Sequence, residues 1–273
     1  MTIIRRLPSW RVVRQLSSAF WQTALAYRGN MIIRSVHAFL MPSILLLVWL
    51  SVKRTPSLAY NDQDFTLYYL LMPLIMNLTG SYIVHELPEE IRDGTLSRHL
   101  LKPVHPLILH VIKHLTVKWM LFLQLVPVVT VLVWALRSYL PPLSLTPALV
   151  IGFMALLLNA MFLRFAMGLT LALTGFWIEH VETLNLVLNA GIWAIFGGMV
   201  VPVETMSGPL RTIAELLPYR YSLSFPLEIL RGVITPPEIL FGVLVSLAWG
   251  VFFVTMIGVL WRRGLRVYSA YGG

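Results

Sequence analysis

Glu86-Leu87-Pro88-Glu89-Glu90-Ile91-Arg92-Asp93-Gly94-Thr95-Leu96-Ser97-Arg98-His99-Leu100-Leu101-Lys102-Pro103 is the stretch that decides how the rest of this chain is read. It holds four of the twelve acidic residues of a 273-residue chain that is 58% hydrophobic. Apolar runs long enough to cross a bilayer lie on both sides of it. Pro88 suits the first turn of a helix, where its missing N–H costs nothing, and Glu89 and Glu90 then sit at the positive end of the dipole. Asp93-Gly94 signals a turn that stops this helix after about two turns. Thr95 is placed to cap a second short helix, which Lys102-Pro103 closes. Two readings follow: a compact helix–turn–helix elbow at the membrane surface, or an ordinary solvated loop between two spans.

Composition narrows the rest. A mean hydropathy of +0.77 with 12% charged residues describes an all-α polytopic membrane protein and not a soluble domain. Without cysteine there is no disulfide framework and no thiolate metal site. The net charge of +9 does not point to nucleic acid, because the basic residues mostly flank apolar runs, where they meet lipid headgroups.

Upstream of the elbow, residues 1–30 have neither an uninterrupted apolar core nor a cleavage site, so they do not read as a signal peptide. Trp10, Val13, Leu16, Phe20 and Ala24 recur at helical steps opposite Arg11, Arg14, Ser18 and Gln22. This predicts an amphipathic interfacial helix, lying along the membrane or packed on another domain, with Trp10 and Trp21 at headgroup level. A first span is expected over 31–52, with Arg34 and His37 near its start and Lys53-Arg54 at its end; a second runs over 65–84. Downstream, spans are expected over 106–136, 147–177, 183–201 and 239–260. His110, Lys113, His114 and Lys118 occupy the interfacial part of the third, and Pro127 lies inside it. Residues 202–237 are too polar and proline-rich to cross, yet carry apolar residues at helical spacing. Two short re-entrant or surface helices are predicted there, around 208–217 and 221–231, with Arg211/Glu215 and Glu228/Arg231 as helix-spaced charge pairs. The whole of 1–273 then reads as one transmembrane domain with an interfacial helix (1–30), an elbow (85–105) and the re-entrant segment (202–237).

Six spans place both termini on one side. About fourteen of the 21 lysines and arginines fall in the N-terminal segment, the elbow with its flanks, and the tail. The positive-inside rule puts these in the cytoplasm and residues 202–237 outside.

The chain has no G-x-x-x-x-G-K-[ST] and no G-x-G-x-x-G after a strand, so no phosphate cradle of its own. No nucleophile–base pair is evident, and no catalytic residue is assigned. His110 and His114 have metal spacing but no H-E-x-x-H pattern and no third ligand, so no metal site is assigned. One intramembrane charge stands out. Arg164 lies near the middle of the fourth span, where an unpaired cation costs about 3 kcal/mol. Gly168, Ala172 and Gly175 follow it as a small face suited to close helix packing. No acid falls within any expected span. The counter-group of Arg164 is therefore a carbonyl or amide (Asn159, Asn185 or Asn189), a wet cavity, a second subunit or a bound anion. Asn185 and Asn189, with Glu182, form a polar stripe on the fifth span, suited to interhelical hydrogen bonds or to a path.

The order of parts resembles the permease subunits of type-2 ABC exporters, in particular the small-permease branch often encoded with a second permease and an ATPase. Three stretches carry the resemblance: Glu89-Glu90-Ile91-Arg92-Asp93-Gly94-Thr95-Leu96 through Leu101-Lys102-Pro103; Leu217-Pro218 through Pro226-Leu227-Glu228-Ile229-Leu230-Arg231-Gly232; and Arg263-Gly264-Leu265-Arg266-Val267-Tyr268-Ser269-Ala270-Tyr271-Gly272-Gly273. The resemblance implies a multi-pass subunit of the cell inner (plasma) membrane that is not itself an enzyme. It implies a cytoplasmic ABC ATPase dimer as partner, which holds ATP and Mg, and a second permease forming a homo- or heterodimer in the lipid bilayer. It implies that Glu89, Glu90, Ile91, Arg92, Asp93, Gly94 and Thr95 form the coupling element, Ile91 and Leu96 packing it back on the protein. Arg164, Asn185 and Asn189 are the candidate translocation path or subunit interface. A secondary transporter and a non-transporting assembly subunit are the alternatives; the first normally needs intramembrane acids, which the expected spans lack.

Overall fold

The computed structural model describes residues 8–26, 28–51, 60–142 and 146–268; Lys53, Arg54 and the end of the tail, 269–273, lie outside them. The described residues form helices and no strand. The amphipathic helix α1 (Trp10–Ala26) turns a half-buried stripe, Val13, Leu16 and Phe20, inward and leaves Arg11, Arg14, Ser18 and Gln22 exposed. It packs against α6 (Pro106–Ala135), so this helix is fastened to the protein as well as suited to an interface. α2 (Arg28–Ser51) packs on α3 (Asp62–Thr79), which is the central helix: eleven of its eighteen residues are buried. A reciprocal cap starts α3, with Asn61 Oδ1 accepting from the Asp64 N–H at 2.9 Å and Asp64 Oδ2 from the Asn61 N–H at 3.1 Å.

The helix breaks at Gly80-Ser81-Tyr82 and resumes as α4 (Ile83–Arg92). Pro88 therefore sits inside a helix that began five residues earlier, not at its first turn. The last residues of the second expected span, Ile83 and Val84, and the first half of the elbow are one element. Gly94, at φ 77°, makes the turn that only glycine adopts without strain, and α5 (Thr95–Leu101) follows. Its cap differs from the expected Thr95: Asp93 Oδ1 accepts from the Thr95 N–H at 2.8 Å, which holds the exposed Asp93 carboxyl below its ordinary value. Beneath the elbow, Ile83, Leu87, Ile91 and Leu96 pack with Leu169, Ala172, Leu173 and Trp261 into a core of their own. The solvated-loop reading does not describe such an element.

α7 (Pro147–Leu173) lies against both α4 and the last helix, α11 (Pro236–Val267). Its small face does what its composition predicts. A Cβ on Gly168 would meet Ile83 at 3.3 Å, and one on Gly175 would meet Pro88 Cβ at 3.1 Å. α8 (Val181–Phe196) is α-helical at its ends but π-helical over Leu186–Ile192. At the end of the molecule away from the elbow, α9 (Gly208–Leu216) and α10 (Ser224–Leu230) form the two short helices expected between 202 and 237. α10 is buried almost throughout, whereas α9 buries only Ala214.

Among the described residues, four helical stretches are long and apolar enough to cross a membrane: Asp62–Arg92, Pro106–Ala135, Pro147–Phe176 and Pro236–Val267. Shorter apolar helices, Val36–Ser51 and Val181–Phe196, occupy the positions of the first and fifth expected spans. The outward faces are apolar: Leu40 and Leu47 on α2, Val131 and Trp134 on α6, and Leu244, Val251 and Val254 on α11 are all exposed. Such a continuous apolar exterior suits lipid and not water.

Candidate functional site

The break between α3 and α4 opens a cavity of about 330 Å³. Its wall is built from α2 (His37), the end of α3 (Asn77), the linker residues Gly80, Ser81 and Tyr82, Lys118 of α6, Arg164 and Gly168 of α7, and Asn185 and Asn189 of α8. The three residues singled out by sequence for a path or interface, Arg164, Asn185 and Asn189, thus meet at one place. Lys118, expected among interfacial groups, is buried there instead and donates to the Asn77 carbonyl at 2.5 Å.

Arg164 is held lightly. One N–H reaches the backbone carbonyl of Asn189 at 3.5 Å, and the guanidinium lies 4.1 Å over the ring of Trp193. The π-helical turn carries Asn189, and Trp193 is the first residue beyond it. Trp193 is fixed in turn by donating its ring N–H to Ser222 Oγ at 2.8 Å. No carboxylate of the described residues lies in ion-pair range of Arg164, and none lines the cavity. Of the expected counter-groups, Asn159 is engaged elsewhere, with Ser246. Asn189, another of the expected counter-groups, does meet Arg164, through its backbone carbonyl and not its side-chain amide.

Between the cavity and the elbow runs a face of α6 with residues four apart: Lys118, His114 and His110. His114 packs its ring 4.6 Å from that of Phe165. His110 and Lys113 are not free headgroup contacts either. Glu86 binds Lys113 at 2.9 Å, and Glu90 sits between His110, at 3.2 Å, and His99, at 3.1 Å. Of the seven expected coupling residues the structure therefore makes three groups. Glu90 and Ile91 face inward, and Gly94 and Thr95 build the turn. Glu89, Arg92 and Asp93 are exposed, Arg92 also donating to the Glu179 carbonyl at 3.1 Å and approaching Glu182 at 3.5 Å. Sequence reasoning missed the other half of the exposed tip: Arg98, Leu101, Lys102 and Pro103, with Leu101 87% exposed. A leucine set between Arg98 and Lys102, just before Pro103, was the signal available.

At the far end, buried charges are paired. Arg220 and Glu228 form a two-pronged pair, at 3.2 and 2.5 Å, and Ser224 Oγ donates to Glu228 at 2.8 Å. Arg231 binds Asp64 at 3.1 Å and Glu204 at 2.9 Å, lying 4.0 Å over the Tyr60 ring. The expected Glu228/Arg231 pair does not form, since α10 ends at Leu230 and each partner is taken by a group elsewhere. Arg211 and Glu215 do pair, at 2.8 Å.

Residues 38–272 match the family described as ABC-2 family transporter protein. The chain belongs to that family. Its place among type-2 ABC permeases makes it a transmembrane transporter subunit and an integral membrane protein, a membrane domain without catalytic activity of its own. No curated protein and no solved structure matches the chain.

Proposed function

We propose that this permease is the membrane half of an ATP-driven exporter, forming the substrate path with a second permease and driven by a separate cytoplasmic ATPase dimer that carries ATP and Mg. In this reading the six apolar helical stretches cross the inner membrane, both termini and the elbow lie in the cytoplasm, and residues 202–237 face outward. The observation that carries it is the continuity of α4. Its first turn begins beside Tyr82 in the cavity wall, and its last turn ends in the exposed charged tip. Because α4 is clamped to α7 through Gly168 and Gly175, force applied at the tip is not lost in a soft loop. The docking face is Glu89, Arg92, Asp93, Arg98 and Leu101; Glu90 works inside, tying the elbow to α6.

The test is a pair of variants. Glu89→Arg with Leu101→Asp alters only exposed side chains, so folding should change by no more than about 0.5 kcal/mol. An exposed anchor that fills a partner's cleft is worth about 2 kcal/mol or more, so ATPase binding and stimulation of its hydrolysis should fall tenfold or beyond. Glu90→Gln should do the reverse, lowering thermal stability while a folded fraction still docks. An ATPase that binds and turns over normally with the double variant would sink the assignment.

A further inference from the structure

We infer that the cavity at the α3–α4 break receives an anionic group, a phosphate or carboxylate, carried by the transported molecule. Two cations face it from different helices, Arg164 on α7 and Lys118 on α6, and no carboxylate among the described residues lines it. A charge within a membrane span is kept only where something answers it. A guanidinium offers five N–H donors in a planar fork matched to phosphate and carboxylate oxygens. Arg164 spends one of them, on a carbonyl 3.5 Å away. The neutral groups around it are of the same kind: the side-chain amides of Asn185 and Asn189, and the Ser81 hydroxyl, which has no hydrogen-bond partner. The volume, about 330 Å³, is in the range of small-ligand pockets.

A second hollow, of about 380 Å³, shares Asn189 with the first and is lined by Leu171, Leu188, Phe252 and Phe253. It offers an apolar body somewhere to lie while its head meets Arg164. The same head chemistry could belong to a free anion or to an amphiphile, and the experiment separates them. The inference rests on the transporter reading of this cavity, yet its test needs no ATPase. Failure of the elbow to couple and failure to bind an anion are therefore separate results.

The full chain is purified in a neutral maltoside detergent and titrated with dodecyl phosphate, inorganic phosphate and dodecyltrimethylammonium. Fluorescence of Trp193 reports on the site, since Arg164 lies on its ring; Trp193→Phe identifies that signal. Dodecyl phosphate should saturate and the equally long cation should not. Competition by inorganic phosphate would assign recognition to the head alone; no competition would assign it to the amphiphile. Arg164→Gln and Lys118→Gln should each weaken binding about tenfold or more, with Arg164→Lys retaining part of it. Equal responses to the anionic and cationic amphiphiles, no saturation by either phosphate, or unchanged affinity in folded Arg164→Gln would overturn the inference. Should Arg164→Gln fail to fold, the comparison of the two amphiphiles on the unaltered chain still decides.

Discussion

Arg220 and Arg231 at one end of the molecule, and Arg164 in its middle, are the same residue under two regimes. The first two are buried and over-supplied with partners: Arg220 has Glu228 and, at 3.7 Å, Glu215, and Arg231 has Asp64 and Glu204. Arg164 has a carbonyl at 3.5 Å and the face of an indole. Where this fold uses charge to fasten the chain to itself, it brings carboxylates to the arginine, from nearby turns for Arg220 and from distant parts of the sequence for Arg231. The contrast teaches that Arg164 is not part of that fastening.

Three measurements sharpen or break the contrast. The largest effect is expected from Arg220→Leu, which leaves Glu228 buried and uncompensated. Breaking such a pair costs about 3–5 kcal/mol. Its thermal unfolding midpoint in detergent should drop steeply, and a midpoint near that of the unaltered protein would show that the pair fastens nothing.

A smaller effect concerns pH. Burial, reinforced by nearby Glu228 and only partly offset by Arg231, pushes the Glu204 carboxyl up to about 7. A raised carboxyl favours the protonated folded form, so its contribution to stability is complete below the ordinary value of 4.5 and is lost as pH rises through about 7. The unaltered protein should therefore lose stability between about pH 5 and pH 8. Glu204→Gln, which mimics the protonated group, should flatten that loss, and parallel pH profiles would remove the carboxyl from the account.

Arg164→Leu should have the smallest effect on the fold. It returns the roughly 3 kcal/mol that an intramembrane cation costs and gives up a cation–π contact worth about 0.5–2 kcal/mol. The unfolding midpoint should stay or rise and the transporter should assemble, while transport fails. If Arg164→Leu and Arg220→Leu unfold the protein alike, the two regimes are one.

Much of this was written locally. The elbow's turn at Asp93-Gly94, the small face from Gly168 to Gly175, the two helices between 202 and 237, and the isolation of Arg164 all follow from short-range spacing and from which residue types a span tolerates. What was not legible depends on long-range partners. Glu228 and Arg231 have helical spacing, but a spacing rule holds only while the helix continues, and α10 stops between them. Asp64, 167 positions before Arg231, gives no local sign of the ion pair it makes. Glu90 reads as a surface acid until the histidines of α5 and α6 are folded around it. The π-helical turn in α8 leaves no mark in composition, because Leu186-Val187-Leu188-Asn189-Ala190-Gly191-Ile192 is an unremarkable apolar run.

The contact between Pro88 and Gly175 has a mechanical meaning. It lies near the midpoint of α4, six residues from Tyr82 at the cavity and five from Asp93 at the tip. At 1.5 Å per residue these are lengths of about 9 Å and about 7.5 Å. A rod held at Pro88 and again at Ile83, where it meets Gly168, does not rock on one point: a push at the tip moves the rod and the helix behind it together. One short helix, seated on two glycines, thus carries a displacement of the tip to the cavity wall with no soft segment between them.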